Sequence, residues 1–494
     1  MKEKKSSLLF IIPNFFFIEK YQKKLYYYDI PIGTLQLSSF LRKDLNVKTQ
    51  IIDLRMESEK YSNLRIVNPN DNKLNEFLIK VLERNDIQEF DNIGINCYTS
   101  FQYLYTDSLA RILKEEFADK TVIVGGYHPT AVPEDFSYKN APYDYILRGE
   151  SETILQDLFL NKKINGKNKV KKPQILTPDR IIDINYLPFP DYELYLNKYP
   201  YNDKYKYEIY MSRGCPYQCA FCAENYDFRS LNFDIFQNHF NKLIEILGSI
   251  NKKQIKIGFA DQSFDRVSIN KKVLSFIIDK EYNERFTFSC QSRIESISND
   301  IPLLKMLKKA GFVVGFGFET ANKNLLLEMH KTKDPLKYVD MTKKIINKYK
   351  NSSGPYCRLN IVSGFPGENE SSFNETIEFI NKHALNENIQ ISPSLFSNYP
   401  NLFVYKNMTY YKMKFGTNFI KEWWKIHSNP FKNSVPDPSR TYGLKQLISD
   451  YKEKYISILN FFKREKQEIF SDLVIWKKFY NNWYEELDNM SQMN

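Results

Sequence analysis

Cysteine and histidine are scarce in this chain: its 494 residues include six cysteines and five histidines. So few cysteines over such a length exclude the disulfide framework of a small secreted protein. No apolar run approaches the roughly 18 residues that span a bilayer. The N-terminal run at residues 8–12 is short and ends at Pro13 without the small-residue cleavage site of a signal peptide. These absences lead us to expect a cytoplasmic protein with no membrane span.

The charge and length of the chain limit the possible classes further. The net charge is +11, but lysine is distributed along the whole chain rather than concentrated in one segment. Such an even distribution does not predict a nucleic-acid-binding face. A chain of 494 residues exceeds one ordinary core, so two or three domains are expected.

Half of the scarce cysteines lie together, at Cys215, Cys219 and Cys222, after a strand-like run at 207–211. Three thiolates on one loop can bind three irons of a cubane cluster and leave the fourth iron without a protein ligand. A zinc site would need a fourth ligand nearby, and the sequence offers none there; three clustered core cysteines are the other alternative. The spacing, with Phe221 before the last cysteine, resembles the signature of radical S-adenosylmethionine (SAM) enzymes. The resemblance implies a [4Fe–4S] cluster on these cysteines.

The first 160 residues alternate short apolar runs with amphipathic stretches, which predicts a parallel sheet wrapped by helices. Ligands of such sheets bind beyond the carboxyl ends of the strands, where the strand order reverses. The predicted strands are 8–12, 49–53, 92–96, 121–124 and 143–147, and the predicted helices include 34–43, 74–84 and 105–116.

Two predicted loops at this edge carry small or flexible residues, namely Thr99 and Ser100 in one and Gly125, Gly126 and His128 in the other. Glycine lets the backbone approach a flat or phosphate-bearing ligand, although a lone Gly-Gly also fits a tight turn. Together with Gly33 and the segment 148–152, this order resembles the cobalamin-binding domain that precedes many radical SAM domains. The resemblance covers residues 6–160 and implies that the loops contact cobalamin. The chain lacks the Asp-x-His-x-x-Gly motif that binds cobalt in some of these domains, and relatives that lack it still bind the corrin. His128, which follows Gly-Gly, is expected to hydrogen-bond within its loop, the alternative being a cobalt ligand.

A second alternation follows a predicted linker at 161–195, which is rich in lysine, asparagine and proline. The region 196–396 contains six predicted βα units. Six units fall short of a full barrel and match the partial (β/α)6 barrel that the radical SAM resemblance implies. Its predicted strands are 207–211, 255–260, 286–291, 313–318, 358–363 and 389–396, and its helices include 236–247, 271–280, 302–310, 336–349 and 371–383.

Polar residues and glycines follow these predicted strands, at the edge where barrel enzymes place their chemistry. Glu319 suits the amino group of SAM and Arg293 suits its carboxylate, although either could form a structural ion pair or lie on the surface. The turn from Gly364 to Glu368 departs from the family pattern upstream, where Asn360 stands for a glycine, and Lys331 matches a family lysine whose role we leave open. The predicted SAM contacts are Phe221, Asp261, Gln262, Arg293, Glu319, Val362, Gly364 and Gly367.

The last hundred residues, 397–494, are expected to form a mainly helical cap on the substrate side, with helices at 442–466 and 469–487. The family resemblance implies reductive cleavage of SAM to a 5′-deoxyadenosyl radical and cobalamin-dependent methylation of an unactivated carbon. It also implies an electron donor such as flavodoxin or ferredoxin, and a small-molecule or peptide substrate. Cyclisation, ring contraction or another rearrangement without methyl transfer is the main alternative. A tRNA methylthiotransferase would need more N-terminal cysteines than Cys97, and a non-enzymatic cluster- or corrin-binding module is the remaining alternative.

Overall fold

The computed structural model of this protein describes residues 6–14, 28–60, 72–161, 172–201, 205–224, 226–250, 254–351, 354–396, 398–417 and 419. These residues form two compact units. The first comprises the described residues up to 205 together with 238–250, and the second comprises 206–237 and the described residues from 254 onward. No helix within these described ranges is long and apolar enough to cross a membrane.

The first unit is built on a parallel sheet. Its strands are β1 (Ser7–Ile12), β3 (Lys48–Asp53), β4 (Asn92–Asn96), β5 (Thr121–Gly125), β6 (Tyr145–Leu147) and β7 (Gln174–Leu176), and a two-residue strand, β2, is Tyr28–Asp29. The sheet order is β3-β1-β4-β5-β6-β7. The strand order reverses between β1 and β4, so a ligand of this fold binds beyond the carboxyl ends of those strands. Every residue of β1 is buried, as expected for a strand covered on both faces.

The α-helices described in the chain up to residue 205 are α1 (Ile32–Asp44), α2 (Leu54–Lys60), α3 (Asn72–Arg84), α4 (Tyr103–Glu116), α5 (Tyr127–Ala131), α6 (Glu152–Leu160) and α7 (Tyr192–Lys198). α3 has the apolar face that its sequence predicts. Its apolar residues repeat at helical spacing and all five are buried, namely Leu74, Phe77, Leu78, Val81 and Leu82. β7 and the start of α7 lie within the range 161–195 that was predicted as a linker. β7 pairs with β6 and so extends the sheet.

The second unit carries the predicted open barrel. Its strands are β8 (Tyr205–Ile209), β9 (Ser212–Arg213), β10 (Arg229–Ser230), β11 (Ile255–Phe259), β12 (Phe286–Ser292), β13 (Phe312–Glu319), β14 (Cys357–Ser363) and β15 (Ile389–Leu395). β8, β11, β12, β13, β14 and β15 are parallel neighbours in chain order. The α/β fold class of both regions is therefore confirmed.

The helices of this unit follow its strands. They are α8 (Phe233–Gly248, which runs on into the first unit), α9 (Asn270–Asp279), α10 (Ile294–Asn299), α11 (Ile301–Lys309), α12 (Lys323–Glu328), α13 (Pro335–Lys350), α14 (Glu370–Phe379), α15 (Phe403–Lys406) and α16 (Met408–Phe415). α14 continues as a π-helical turn, Ile380–Ala384. The predicted helices 442–466 and 469–487 lie outside the described residues.

Candidate active site

The loop that carries the three cysteines starts and ends on a small antiparallel clamp. β9 and β10 pair Ser212 with Ser230 and Arg213 with Arg229. The clamp is extended by a bond from the Leu231 N–H to the Met211 carbonyl at 2.7 Å. The loop between them is therefore closed at its base and held beyond the carboxyl end of β8.

Glycine is required where this loop leaves the clamp. Gly214 has φ +79°, and a Cβ there would lie 2.3 Å from the Asp227 carbonyl oxygen and 2.5 Å from that of Tyr226. Only glycine adopts this backbone conformation freely and leaves room for the returning strand. The chain can then turn directly into Cys215, whose N–H donates to the Tyr226 carbonyl at 3.3 Å.

The three cysteines are free and partly exposed thiols, whereas Cys97, Cys290 and Cys357 are buried as predicted. Burial raises the pKa of Cys215 and raises that of Cys222 to about 11. Iron binds the thiolate, so loading the cluster would release protons from these groups. Within the described ranges no three His, Cys, Asp or Glu side chains converge on a single metal ion. A cubane instead binds each cysteine at a different iron.

Arg293 connects the cluster loop to the end of β12. Its Nη1 donates to Cys219 Sγ at 3.4 Å, and its guanidinium carbon lies 4.0 Å from the centre of the Tyr217 ring. Nη2 donates to Glu295 Oε1 at 3.0 Å and to the Lys331 carbonyl. The residue is 9% exposed. Arg293, which was predicted to contact SAM, therefore already bonds to neighbouring protein groups. These contacts place its positive charge beside the cluster loop.

Glu319 and Lys331 form a buried ion pair at the end of β13. Lys331 Nζ lies 2.9 Å from Glu319 Oε1. Lys331 is 5% exposed and Glu319 is 4% exposed. Glu319 has φ +67°, beside a register shift between β13 and β14. A Cβ on Gly317 would lie 2.4 Å from both Glu319 Oε1 and Lys331 Nζ. The absence of a side chain at Gly317 therefore leaves room for the pair. The pairing also identifies Glu319 as the partner of Lys331, whose role the sequence left open.

Asp261 and Gln262, both predicted SAM contacts, differ in their surroundings. Asp261 is buried and accepts bonds from the Met211 N–H at 3.0 Å and from Ser212 Oγ at 2.5 Å. Burial raises the pKa of Asp261 to about 7 although these donors favour the carboxylate. Gln262 is exposed at the same strand end. Asp261 thus anchors the start of the cluster loop to the neighbouring strand.

An apolar cluster underlies the predicted adenine contacts. Val362 packs in it with Ala220, Met329 and Phe365, and Phe221 lies against it. Two turn glycines follow, Gly364 (φ +78°) and Gly367 (φ +98°). No atom lies within 4 Å of the position of a Cβ on Gly364, whereas Phe415 would contact one on Gly367. The Glu368 carboxylate accepts the Gly364 N–H at 2.5 Å. This leaves an open, apolar-backed position at the turn, which suits a flat ring.

In the first unit, the predicted loops meet at the carboxyl ends of β4 and β5. Gly126 has φ +116°, and a Cβ there would lie 2.4 Å from the Cys97 carbonyl oxygen, while Gly125 ends β5. Thr99 donates its N–H to Gln102 Oε1 at 3.3 Å. Tyr98 is 60% exposed at this edge. An open backbone loop with an exposed ring fits a flat macrocycle.

His128 and Ser100 lie beneath that edge rather than on it. Nδ1 of His128 bonds with Ser100 Oγ, and Nε2 lies 3.0 Å from Asp135 Oδ2. Burial lowers the pKa of His128, although the Asp135 carboxylate opposes this shift. Both ring nitrogens are engaged, so the expectation that His128 hydrogen-bonds within the fold agrees with its contacts. Ser100 and His128 have the contacts of supports for the loop, not those of surface ligands.

Some supporting residues gave no recognisable sequence signal. Asp265 accepts the Arg293 N–H at 3.0 Å and the Ser263 hydroxyl at 2.8 Å. An isolated acidic residue in a predicted loop does not indicate this role. Gly214 could have been found, because a glycine directly before a ligating cysteine suggests a special backbone angle.

Two protein families match this chain. The radical SAM superfamily matches residues 209–380, which include the three cysteines, Arg293 and Glu319. The B12 binding domain matches residues 23–159. The chain is a B12-binding radical SAM enzyme. The two domains account for three cofactors: a [4Fe–4S] cluster, SAM and cobalamin.

Relatives of this radical SAM enzyme include three named proteins. An uncharacterized methyltransferase of Pyrococcus horikoshii is 27% identical over 381 residues, which are 71% of this chain and 73% of the relative. An anaerobic magnesium-protoporphyrin IX monomethyl ester cyclase of Synechocystis is 31% identical over 129 residues, 24% of this chain and 26% of the cyclase. A hopanoid C-2 methylase of Rhodopseudomonas palustris is 28% identical over 225 residues, 43% of this chain and 39% of the methylase. The enzyme therefore matches well under two thirds of the last two.

A solved structure shares the fold of this radical SAM enzyme. It is the radical SAM methyltransferase TsrM from Kitasatospora setae, with cobalamin and a [4Fe–4S] cluster bound. The TM-score is 0.55 at 14% identity, and the alignment covers 82% of this chain and 75% of TsrM. At this identity the likeness concerns the arrangement of the strands and helices alone.

Proposed function

We propose that this enzyme is a cobalamin-dependent methyltransferase that acts on an unactivated carbon of a biosynthetic substrate. The observation that carries the proposal is the strand-end site: the thiols of Cys215, Cys219 and Cys222 beside the Glu319–Lys331 pair, in a chain with a B12-binding domain. Relatives named as methyltransferases support methyl transfer as the outcome. The cluster would supply the electron that cleaves SAM to a 5′-deoxyadenosyl radical, and cobalamin would supply methyl-transfer chemistry.

The residues of the site would divide the work of holding SAM. Glu319 takes the ammonium of SAM, because a carboxylate accepts about four hydrogen bonds and Lys331 leaves capacity for another donor. Phe221, Val362 and the backbone at Gly364 and Gly367 receive the adenine. Gln262, exposed at the end of β11, could reach a ribose hydroxyl.

Arg293 and Asp261 have a different task in this proposal. Arg293 was predicted to bind the SAM carboxylate, but its bonds to Glu295, Cys219 and Lys331 favour a positioning role. Its charge lies where the thiolates of the loaded loop would concentrate negative charge. Asp261 holds the loop from the other side through Met211 and Ser212.

For the first unit, we propose that the backbone at Thr99, Gly125 and Gly126 contacts the corrin, with His128 and Ser100 beneath. The electron would come from a flavodoxin or ferredoxin. The compartment would be the cytoplasm, where thiols stay reduced. The substrate is a small molecule or a peptide.

The test is anaerobic reconstitution with iron, sulfide and hydroxocobalamin, followed by reaction with methyl-labelled SAM and a reductant. We expect about four irons per chain, as in a cubane, together with bound corrin, and methionine and 5′-deoxyadenosine as products of SAM cleavage. Cys219→Ala should abolish SAM cleavage, while Cys290→Ala, a buried cysteine on β12, should retain it. Cleavage that survives Cys219→Ala would contradict the site.

The fate of the label separates methyl transfer from the alternative, a cyclisation or other rearrangement without methyl transfer. The partial match to the cyclase of Synechocystis is the observation that favours this alternative. SAM cleavage that depends on substrate, with no label in the product, would decide for rearrangement. Four irons without corrin would also end the methyl-transfer proposal.

A further inference from the structure

The two faces of the second unit's parallel sheet have opposite chemistry. One face packs on the helices: Phe316 contacts Tyr349 of α13, and Phe318 stacks on Phe379 of α14 with ring centres 4.8 Å apart. Gly315, Gly317 and Glu319, which alternate with them along β13, belong to the opposite face of the sheet. In closed barrels that inner face is filled with branched apolar side chains.

The inner face is polar here. We define the polar face as Glu208, Ser289, Gln291, Arg358, Asn360 and Gln390, which come from four strands. Each is partly or fully exposed, while the residues that alternate with them, such as Phe288, Cys290, Leu359 and Ile391, are buried. The face is therefore open to solvent and is not the core of the unit.

The register of the strands aligns these side chains into rows. Gln291 lies opposite Gly315, Gly315 opposite Arg358, and Arg358 opposite Gln390. A Cβ on Gly315 would lie 2.4 Å from Gln291 Oε1, so the glutamine crosses above the glycine. There it accepts the Asn360 amide at 3.0 Å. Arg358 Nε donates to Gln390 Oε1 at 3.1 Å.

This face adjoins the proposed SAM position. Gly317 lies opposite Asn360 in the register, and the Glu319–Lys331 pair lies over Gly317. Asn360 and Gln291 are thus one step along the same face from the pair. A molecule lying on the polar face would therefore lie next to the proposed position of SAM.

We propose that the polar face binds the substrate, and that the substrate is a water-soluble molecule recognised through several oxygen or nitrogen atoms, not a hydrocarbon lipid. The inference rests on the proposed function and names the substrate class of that site. A hydrocarbon would remove these partly exposed amide and charged groups from solvent and offer no hydrogen bond in return. Each group left unsatisfied in that way lowers affinity by roughly 5- to 150-fold. A hydrophilic substrate replaces those bonds and gains specificity from them.

The test uses the reconstituted holoenzyme, a reductant and methyl-labelled SAM. The two probes are the water-soluble and the chloroform-soluble fractions of an extract of the cells that make this protein. Formation of 5′-deoxyadenosine and transfer of label are measured with each fraction. The variant Gln291→Leu/Asn360→Leu removes two groups of the polar face, and Asn347→Leu changes an exposed residue on the outer helix α13 as a control.

We expect the water-soluble fraction to stimulate 5′-deoxyadenosine formation. At limiting amounts of that fraction, the double variant should lose at least about tenfold of the stimulated rate, in line with the loss of two bonded groups. Its iron content and its SAM cleavage without extract should be unchanged, which shows that it folds. The control should stay within twofold.

The outcomes separate the two proposals. Stimulation by the chloroform fraction alone, an unaffected double variant, or no stimulation by the water-soluble fraction would each overturn the substrate class. Label found in a lipid product would overturn the proposed substrate class but would support methyl transfer. Stimulation by the water-soluble fraction without label transfer would support the substrate class and reject methyl transfer.

Discussion

Replacing Lys331 by methionine removes one partner of the most deeply buried acid–base pair at the active site. Methionine keeps most of the length of the lysine side chain but not its charge. The substitution leaves Glu319, 4% exposed and held at φ +67°, without the ammonium 2.9 Å from its Oε1. Loss of one partner from a buried pair costs about 3–5 kcal/mol, because the remaining charge stays buried.

That cost is large enough to measure. With a urea m-value of roughly 3 kcal/mol/M, the unfolding midpoint of Lys331→Met should fall by more than about 1 M. The double variant Glu319→Met/Lys331→Met should recover most of the loss, since apolar replacement of a whole buried pair is often neutral.

The measurement is anaerobic urea unfolding followed by circular dichroism. Lys414→Met is the matched control, because Lys414 pairs with Glu328 at 2.5 Å with side chains 42% and 22% exposed. An exposed pair of this kind contributes about 0–1 kcal/mol. An unchanged midpoint in Lys331→Met, or a double variant as unstable as the single one, would refute the reasoning.

Three further predictions concern other residues. Gly214→Ala places a methyl group 2.3 Å from a carbonyl oxygen and should prevent cluster assembly, measured as iron per chain and visible absorption; normal iron content would contradict this. Burial raises the pKa of Asp261 to about 7, so its contribution to stability is full below the unfolded value near 4 and is lost as the pH rises toward 7. Asp261→Asn should remove about 2 kcal/mol of the fall in stability between pH 5.5 and 8, measured by urea unfolding, and an unchanged pH slope would be evidence against it. Since both nitrogens of His128 are engaged within the fold, labelling the histidines with nitrogen-15 should leave the spin-resonance spectrum of a bound cobalt(II) corrin unchanged, and a changed nitrogen splitting on labelling would contradict this.

The elements that the sequence predicted well are those whose periodicity decides their structure. The eleven predicted strands lie within about two residues of the observed ones. A strand such as β1, buried on both faces, reads as a continuous apolar run. Strands such as β12 and β14 alternate apolar with polar residues, which is the period of a half-buried strand. α3 and α13 were found because their apolar residues repeat at helical spacing. The cluster loop was found from cysteine spacing, which is a chemical signal and not a packing signal.

The features that were missed depend on contacts between distant segments. β7 is three residues long and largely exposed, and it forms a strand because it pairs with β6. The β9–β10 clamp is two residues wide and has no periodicity to detect. The partner of Glu319 and the engagement of Arg293 follow from where chain segments meet in space, and no local pattern encodes that meeting.

The backbone bonds of the cluster loop also bear on when this enzyme can acquire its metal. The Ala220 N–H donates to the Met329 carbonyl at 2.9 Å, and the Ala220 carbonyl accepts the Val404 N–H at 3.3 Å. Both partners emerge from the ribosome long after the cysteines do. At about 5–20 residues per second, synthesis from residue 221 to residue 404 takes roughly 10–40 s. During that interval the three thiols are present, but the segments that hold their loop are not yet made. We therefore expect the cluster to be inserted in the cell only after nearly the whole barrel has been translated.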